Sequence, residues 1–255
     1  MCSLCTPISR RAFCGSALTL PLTRLGHRPP GAAPLLEPAL RLTGTGTATS
    51  TGTGSANRIV AVTLDCCPGH FDERIAAVLI NHNIPATLFL TAIWMRQNPA
   101  ALALLKAHPD IFSLQNHGAQ HLPPVLGSDK IFGLTPAGSL DAIRAEVLNG
   151  AAAITAATGQ APTWYRGAAA LYSPAAIPFI ESLGFRIAGF SLNADEGASL
   201  PAATVAARIS AATNNDVIEG HINQPSRASG AGIAAGLIAL QQSGTRFIHL
   251  TEITT

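Results

Sequence analysis

Short apolar runs alternate with longer segments of helical character from residue 57 onward. The apolar runs do not alternate strictly between apolar and polar residues, which is typical of strands with both faces buried. They predict strands over residues 59–64, 86–90, 111–115, 163–166, 185–189, 217–220 and 246–250.

The segments between these runs predict helices, and four of them begin at or next to a proline, which suits a first helical turn. Repeated βα units predict a parallel sheet. Seven strands in about 200 residues are few for a closed eightfold barrel. We therefore predict a single α/β domain, a distorted (β/α) barrel of about seven parallel strands. The predicted helices cover residues 71–82, 99–107, 136–158, 174–183, 201–211 and 232–243.

The N-terminal region differs in kind from the rest. Ser9-Arg10-Arg11-Ala12-Phe13, followed by a mild apolar stretch over residues 14–22, resembles a bacterial twin-arginine export signal. Gly31-Ala32-Ala33 offers a cleavage site. We expect residues 1–33 to be this signal and the protein to be exported, periplasmic or extracellular. The alternative is a chance arginine pair in a leader.

Residues 34–56 are rich in Pro, Gly, Thr, Ala and Ser. Such a composition buries too little surface to offset the entropy of ordering, so it predicts a disordered linker. The folded domain is expected over residues 57–255. No run in the mature chain is long and apolar enough to span a bilayer.

Composition narrows the classes of partner. The hydrophobic fraction of 47% and the charged fraction of 12% fit a well-filled core. A net charge of +2 gives no reason to expect a nucleic-acid or anionic-membrane partner. Of five cysteines, only the adjacent Cys66 and Cys67 lie in the domain, so neither a disulfide framework nor a cysteine-rich zinc site is expected.

Polar side chains follow five of the seven predicted strands at their carboxyl ends. The opposite ends have few such residues, and chemistry in α/β proteins collects at carboxyl ends. This one-sidedness predicts a site at that edge of the sheet. Its candidate residues are Asp65, Asn116, His117, Arg166, Asn193, Asp195 and His221.

His117 and His121 are spaced four residues apart, which would place both imidazoles on one face of a helical turn. This spacing suits two ligands of a zinc-like divalent ion, with a carboxylate as the third. Asp65 could be a ligand or a general base, Arg166 could hold a carboxylate ionised, and His221 could be a general acid. The alternatives are that His117 and His121 cap or pack locally in a loop, that Arg166 forms a salt bridge at the rim, and that His221 is a hydrogen-bonded core histidine.

Four ordered motifs resemble the polysaccharide deacetylases, the family 4 carbohydrate esterases. They are Thr63-Leu64-Asp65-Cys66-Cys67, the Asn116–His121 segment, Arg166 after Trp164-Tyr165, and the Val217–His221 segment. The resemblance covers residues 58–251. It implies a distorted (β/α) barrel, a zinc-like metal ion and removal of N-acetyl or O-acetyl groups from glycans.

The resemblance also implies roles for single residues. Asp65 matches the base of the first motif, and Cys66 stands where the family has a metal-binding carboxylate. Cys67 or the downstream Asp72 could serve as the ligand instead. Asp72 also fits the first turn of the following helix, where its charge is favourable.

The later motifs supply the remaining roles. His117 and His121 match the metal histidines, with Gly118 in place of the usual Ser or Thr. Arg166 matches the arginine that orients the base, and His221 matches the acid. Asp195 is expected to tune His221.

These roles predict a metal-assisted hydrolase that acts on a carbohydrate substrate. The alternatives are a hydrolase of another non-peptide C–N bond, and a metal-free or inactive relative that binds carbohydrate. They stay open because the usual ligand carboxylate is replaced by a thiol.

Overall fold

A computed structural model describes residues 34–43 and 58–252. This part of the chain contains one sheet of eight strands, and all strand pairs are parallel. The predicted α/β fold with a distorted (β/α) barrel is confirmed. The strands are β1 (Ile59–Cys66), β2 (Ala86–Leu90), β3 (Phe112–Asn116), β4 (Trp164–Tyr165), β5 (Arg186–Ile187), β6 (Leu192–Asn193), β7 (Val217–His221) and β8 (Arg246–Ile248).

The strand order is β5-β4-β3-β2-β1-β7-β6, and β8 pairs with the first residues of β1. Asp65 of β1 is in register with His221 of β7, and Asn116 of β3 is in register with Tyr165 of β4. Because the strands are parallel, their carboxyl ends meet at one edge. The candidate residues that follow β1, β3, β4 and β7 are therefore brought to the same edge.

The helices cover the outer face of the sheet. Local capping defines several of their starts: the Thr91 side chain accepts from the Trp94 N–H, and Ser139 does the same for Ala142. None of the helices in the described ranges is long and apolar enough to cross a membrane. They are α1 (Glu73–Asn81), α2 (Ala92–Gln97), α3 (Pro99–Ala107), α4 (Leu140–Thr158), α5 (Ala176–Ser182), α6 (Ala202–Ser210) and α7 (Ser229–Gln242).

The two faces of β1 have different surroundings. Its even-numbered residues, from Val60 to Cys66, pack in the main apolar cluster with Ile75 of α1 and Leu237 of α7. Ala61, on the other face, packs with Phe89 in a second cluster. This alternation follows from the two-residue period of a strand. It decides which side chains reach the barrel interior.

Residues 34–43, which the composition predicts to be disordered, lie against the domain instead. Leu36 and Tyr172 exchange two backbone hydrogen bonds of 2.9 Å, and the Leu42 side chain is buried. The prediction of disorder is therefore corrected for this segment, because Leu42 is buried in the second apolar cluster and Leu40 packs against that cluster, which an average over the composition does not reveal. The rest of the predicted linker and the predicted export signal lie outside the described residues.

Candidate active site

Asp65 lies at the carboxyl end of β1 with only 5% of its surface exposed. Its Oδ1 accepts a 2.9 Å hydrogen bond from Nη1 of Arg166, and its Oδ2 lies 3.8 Å from Nε2 of His117. Burial acts to raise the pKa of Asp65, but the positive charges of Arg166 and His117 outweigh it and lower that pKa. Asp65 is therefore an ionised carboxylate with one oxygen engaged and the other facing the cluster.

Arg166 is completely buried, which is unusual for an arginine. Its Nε and Nη2 donate to the backbone carbonyls of Ala188 and Gly189 at 3.2 and 3.1 Å, and its guanidinium lies 4.4 Å from the centre of the Phe89 ring. These contacts hold the guanidinium in one orientation. The pairing with Asp65 that the sequence predicted is present.

His117 directly follows β3. Its Nδ1 donates a 2.7 Å hydrogen bond to the Arg166 carbonyl, which can only accept. Nε2 therefore faces the cluster, 3.4 Å from the Cys67 sulfur. Burial acts to lower the pKa of His117, but Asp65 and Cys67 raise it to about 9. The same surroundings that favour a proton at Nε2 favour a cation there.

His121 reaches the cluster from an irregular loop and not from the predicted helical turn. Its backbone has φ +63°, a left-handed conformation that non-glycine residues rarely adopt. Its ring packs edge-on against His117, with ring centres 5.0 Å apart. Nε2 of His121 is buried and has no hydrogen-bond partner among the described residues. A buried imidazole nitrogen without a hydrogen-bond partner fits the role of a metal ligand.

Cys67 completes a group with the two histidines. One ligand atom from each of Cys67, His117 and His121 lies within 4.8 Å of the others. Burial acts to raise the pKa of Cys67, but His117 outweighs it and holds that pKa well below its usual value. The group thus presents one thiolate and two imidazoles, a donor set that suits zinc.

The prediction of Cys66 as a ligand is corrected. Cys66 is fully buried in the main apolar cluster, and burial raises the pKa of its thiol well above the usual value. Because Asp65 faces the barrel interior, the next residue faces the helices, and Cys67 turns back to the interior side. The adjacent thiols therefore lie in opposite environments.

The loop that presents Cys67 is tied down on both sides. Asn223 Nδ2 donates to the Pro68 carbonyl at 3.2 Å, and Asn98 Nδ2 donates to the Gly69 carbonyl at 3.0 Å. Trp94 Nε1 donates to the carbonyl of His70 at 2.9 Å. These side-chain donors hold the turn after β1, so the position of the thiol is defined by packing.

The prediction of Asp72 as a ligand is also corrected. Its Oδ1 accepts from the Arg74 N–H at the start of α1, and its Oδ2 is 2.6 Å from Nη2 of Arg74. Asp72 is not part of the thiolate and imidazole group in the described structure. It caps α1, which is the other role that the sequence allowed.

Asp195 and His221 form a hydrogen-bonded pair, as expected. Nδ1 of His221 donates to Oδ1 of the fully buried Asp195 at 2.9 Å, and the His221 backbone N–H donates to Oδ2. Burial acts to lower the pKa of His221, but Glu219 and Asp195 raise it well above its usual value. His221 is therefore held in one orientation and retains a proton.

Glu219 is a residue of this edge that the sequence reasoning missed. Its Oε1 is 3.2 Å from Nδ1 of His221, and its Oε2 is buried without a hydrogen-bond partner in the described ranges. Burial raises the pKa of Glu219 to about 8. A glutamate two residues before His221 in an otherwise apolar strand was a signal, because the two share a face of β7.

Glu219→Gln is expected to raise the melting temperature more at pH 9 than at pH 5.5. The pKa of Glu219 is near 4.3 in the unfolded chain and about 8 in the fold, so the native state binds the proton more tightly. Its contribution to stability is complete below about pH 4.3 and is lost as the pH rises through about 8. Glutamine removes this loss. Thermal unfolding of chelator-treated protein at both pH values checks it.

Glu181→Gln is the matched control, because Glu181 is exposed on α5. Its melting temperature relative to the wild type should change little between the two pH values. An equal shift for Glu219→Gln at both pH values would contradict the raised pKa of Glu219.

The family of the chain follows from a family model described as polysaccharide deacetylase. It matches residues 53–188, more than half of the 255 residues. The chain belongs to the polysaccharide deacetylase family. The match includes Asp65, Cys67, both cluster histidines and Arg166 and ends before the His221 strand.

Solved structures with this fold include other deacetylases and esterases. The peptidoglycan N-acetylglucosamine deacetylase Bc1960 is 19% identical over 79% of this chain and 88% of its own, with a TM-score of 0.64. A family 4 acetyl xylan esterase from Clostridium thermocellum, in complex with a cobalt ion, is 22% identical over 77% and 90%, with a TM-score of 0.61.

A third similar structure is a family 4 pseudoenzyme from Bacillus anthracis. It is 17% identical over 77% of this chain and 65% of its own, with a TM-score of 0.60. This chain thus spans about two thirds of that structure's length. No curated protein matches this sequence. At these identities the solved structures establish the fold, and the family membership supports a hydrolase that removes acetyl groups from carbohydrates.

Proposed function

We propose that this polysaccharide deacetylase is a metal-dependent hydrolase that releases acetate from an N-acetylated or O-acetylated glycan. The single observation behind the proposal is the group of Cys67, His117 and His121 beside the ionised Asp65. The unpartnered Nε2 of His121 and the hydrogen-bonded Nδ1 of His117 both fit a metal site. In this proposal the thiolate replaces the carboxylate that the family uses.

The donor set favours zinc over harder cations. A thiolate with two imidazoles suits zinc, whereas magnesium, calcium and manganese prefer oxygen ligands. When bound, the ion would supply Lewis acidity and ease the deprotonation of water. Cys67, His117 and His121 would hold it, and three protein ligands are the number typical of a catalytic zinc site.

In the proposed reaction, Asp65 is the general base. Its Oδ2 takes a proton from the attacking water, while Arg166 holds Oδ1 and keeps the carboxylate oriented. The water oxygen bonds to the acetyl carbon, the C–N or C–O bond breaks, and acetate is the product. The leaving nitrogen or oxygen needs a proton.

His221 is the proposed source of that proton. Asp195 accepts from Nδ1, which leaves Nε2 to act on the leaving group. Asp195 is thus a positioning residue, and the register of Asp65 with His221 supports base and acid on neighbouring strands.

The proposed substrate is a short acetylated oligosaccharide. All four Trp and Tyr side chains of the protein are buried, so none offers a stacking platform for a crystalline glycan. They are Trp94, Trp164, Tyr165 and Tyr172.

Export stays a prediction of the twin-arginine motif, since residues 1–33 lie outside the described structure. Cell fractionation checks it.

The full-length protein is expected to contain about one zinc ion per chain and to release acetate from acetylated chitin or xylan oligosaccharides. A chelator should abolish the release, and added zinc or cobalt should restore it. His117→Ala should remove both the metal and the activity, whereas His108→Ala, at the end of α3, should change neither. Elemental analysis and an acetate assay measure both. Protein that binds no added metal and releases no acetate would refute the proposal.

A metal-free thiol hydrolase is the second candidate. The Cys67 sulfur lies 3.4 Å from Nε2 of His117, whose other nitrogen is held by the Arg166 carbonyl. This matches the nucleophile, base and orienting group of a cysteine hydrolase. The thiolate would displace the amine or alcohol from the acetyl carbon, and water would then hydrolyse the thioester. Chelator-resistant acetate release that is lost in Cys67→Ala would favour this candidate.

A further inference from the structure

A buried carboxylate on α4 binds the loop that contains His121. Glu146 is only 4% exposed, and it forms no ion pair in the described part of the chain. Its Oε1 accepts from the backbone N–H groups of Gln120 and Leu122 at 2.9 and 3.1 Å, and its Oε2 lies 3.0 Å from the Gln120 N–H. The carboxylate is therefore held by backbone N–H groups of this loop.

The two backbone N–H groups that the Glu146 side chain binds belong to the residues on either side of His121. The Glu146 backbone carbonyl also accepts from the Ala119 N–H at 3.1 Å. His121 itself is in the left-handed conformation with φ +63°, which persists only where the surroundings impose it. The contacts of Glu146 on both sides of His121 supply that constraint.

Two glycines make room for this arrangement. A Cβ at Gly118, which has φ +92°, would overlap Oε1 of Glu146. A Cβ at Gly150, one turn after Glu146, would lie 2.7 Å from the Gly118 carbonyl carbon. The close approach of the loop to α4 thus depends on both glycines.

Asn116 adds a second tie between the loop and the helix. Its Oδ1 accepts from the Gly118 N–H, and its Nδ2 donates to the Val147 carbonyl, both at 2.9 Å. The loop start is therefore held by Asn116 and its end by Glu146. Only the second tie includes the N–H groups next to His121.

We propose that Glu146 is a positioning residue that holds the His121 imidazole in the thiolate and imidazole group, and this role rests on the proposed metal function. Oε1 accepts from both N–H groups, and the role also requires that Oε2, beside the Gln120 N–H, is an acceptor. Glutamine at this position keeps the shape but turns one acceptor into a donor, which would face an N–H group. Glu146→Gln should therefore release the loop.

Glu146→Gln is expected to weaken zinc binding about 10- to 100-fold, the usual effect of losing a residue that orients a ligand. Zinc affinity is measured by competition with a chromophoric chelator. Asp141→Asn is the matched control, because Asp141 is exposed on the same helix and undergoes the same change of charge. Its affinity should equal that of the wild type.

A double-mutant cycle separates positioning from a general effect on the fold. In a His121→Ala background, Glu146→Gln should cause no further loss of zinc affinity, because its effect passes through His121. An equal loss in both backgrounds would overturn the proposal. If Glu146→Gln does not fold, Glu146→Asp, whose shorter side chain withdraws the carboxylate from the two N–H groups, replaces it in the same cycle.

Amide hydrogen exchange gives a readout that does not depend on metal. Glu146→Gln should increase exchange at Gln120 and Leu122 at least about 10-fold, whereas Asp141→Asn should not. If the wild type binds no zinc but this local increase occurs, the metal function fails while the positioning role of Glu146 stands. Unchanged exchange in Glu146→Gln would overturn the positioning role whether or not zinc binds.

Discussion

Replacing Cys67 with alanine is expected to lower the zinc affinity by more than about 100-fold while the domain stays folded. Loss of a residue that only orients a ligand costs about 10- to 100-fold, and loss of the ligand itself should cost more. Cys67 is also the only anion of the group formed with His117 and His121. Chelator competition measures the affinity, and circular dichroism monitors the fold.

Cys66→Ala is the matched control because it removes the same atom from the adjacent residue. It should keep full zinc affinity but lower the free energy of unfolding by about 1–2 kcal/mol, since the Cys66 thiol fills the apolar cluster. Cys67→Asp should retain zinc binding, because a carboxylate is also a zinc ligand. Loss of zinc in Cys66→Ala, with binding intact in Cys67→Ala, would reverse the assignment.

Asp65→Asn is expected to reduce the rate of acetate release by about 10²- to 10⁴-fold, the usual contribution of a general base. The amide keeps the shape of Asp65 but cannot take a proton from water. Zinc affinity should be largely preserved, because Asp65 is paired with Arg166 and lies outside the proposed ligand set. Single-turnover acetate release by zinc-loaded protein measures the effect.

The same substitution should destabilise the fold. Arg166 is fully buried, and the substitution removes the negative charge with which it pairs. Breaking a buried ion pair in this way lowers the free energy of unfolding by about 3–5 kcal/mol. Activity is therefore compared at a temperature where circular dichroism shows both proteins folded. Asp72→Asn is the control, since Asp72 caps α1 and should be dispensable for acetate release. Equal losses in the two variants would rule out a specific role for Asp65.

The regular elements follow closely from the sequence where the chain is locally consistent. Strand β2 and helix α3 have the predicted bounds. In β2 every residue is buried, and α3 begins at a proline, so local signals define both. The elements α2 and β6 were missed, because six and two residues are too few for a periodic pattern.

The candidate site likewise contains residues that the sequence located and contacts that it did not reveal. The carboxyl ends of the predicted strands were enough to find Asp65, His117, Arg166 and His221, because parallel strands bring those ends together. His121 was found for a partly wrong reason, since the residues around it form a loop and not a helical turn. The ties from Glu146 to that loop could not be read from the sequence, because they join residues more than twenty positions apart.

The sequence by itself determined the barrel class, the family motifs and the edge of the sheet where the polar residues gather. Only the tertiary structure decided which of two adjacent cysteines faces the histidines. The predicted strand ended at residue 64, whereas β1 continues through Cys66. The alternation of side chains therefore extends through this pair, with Cys66 in the apolar cluster and Cys67 beside His117.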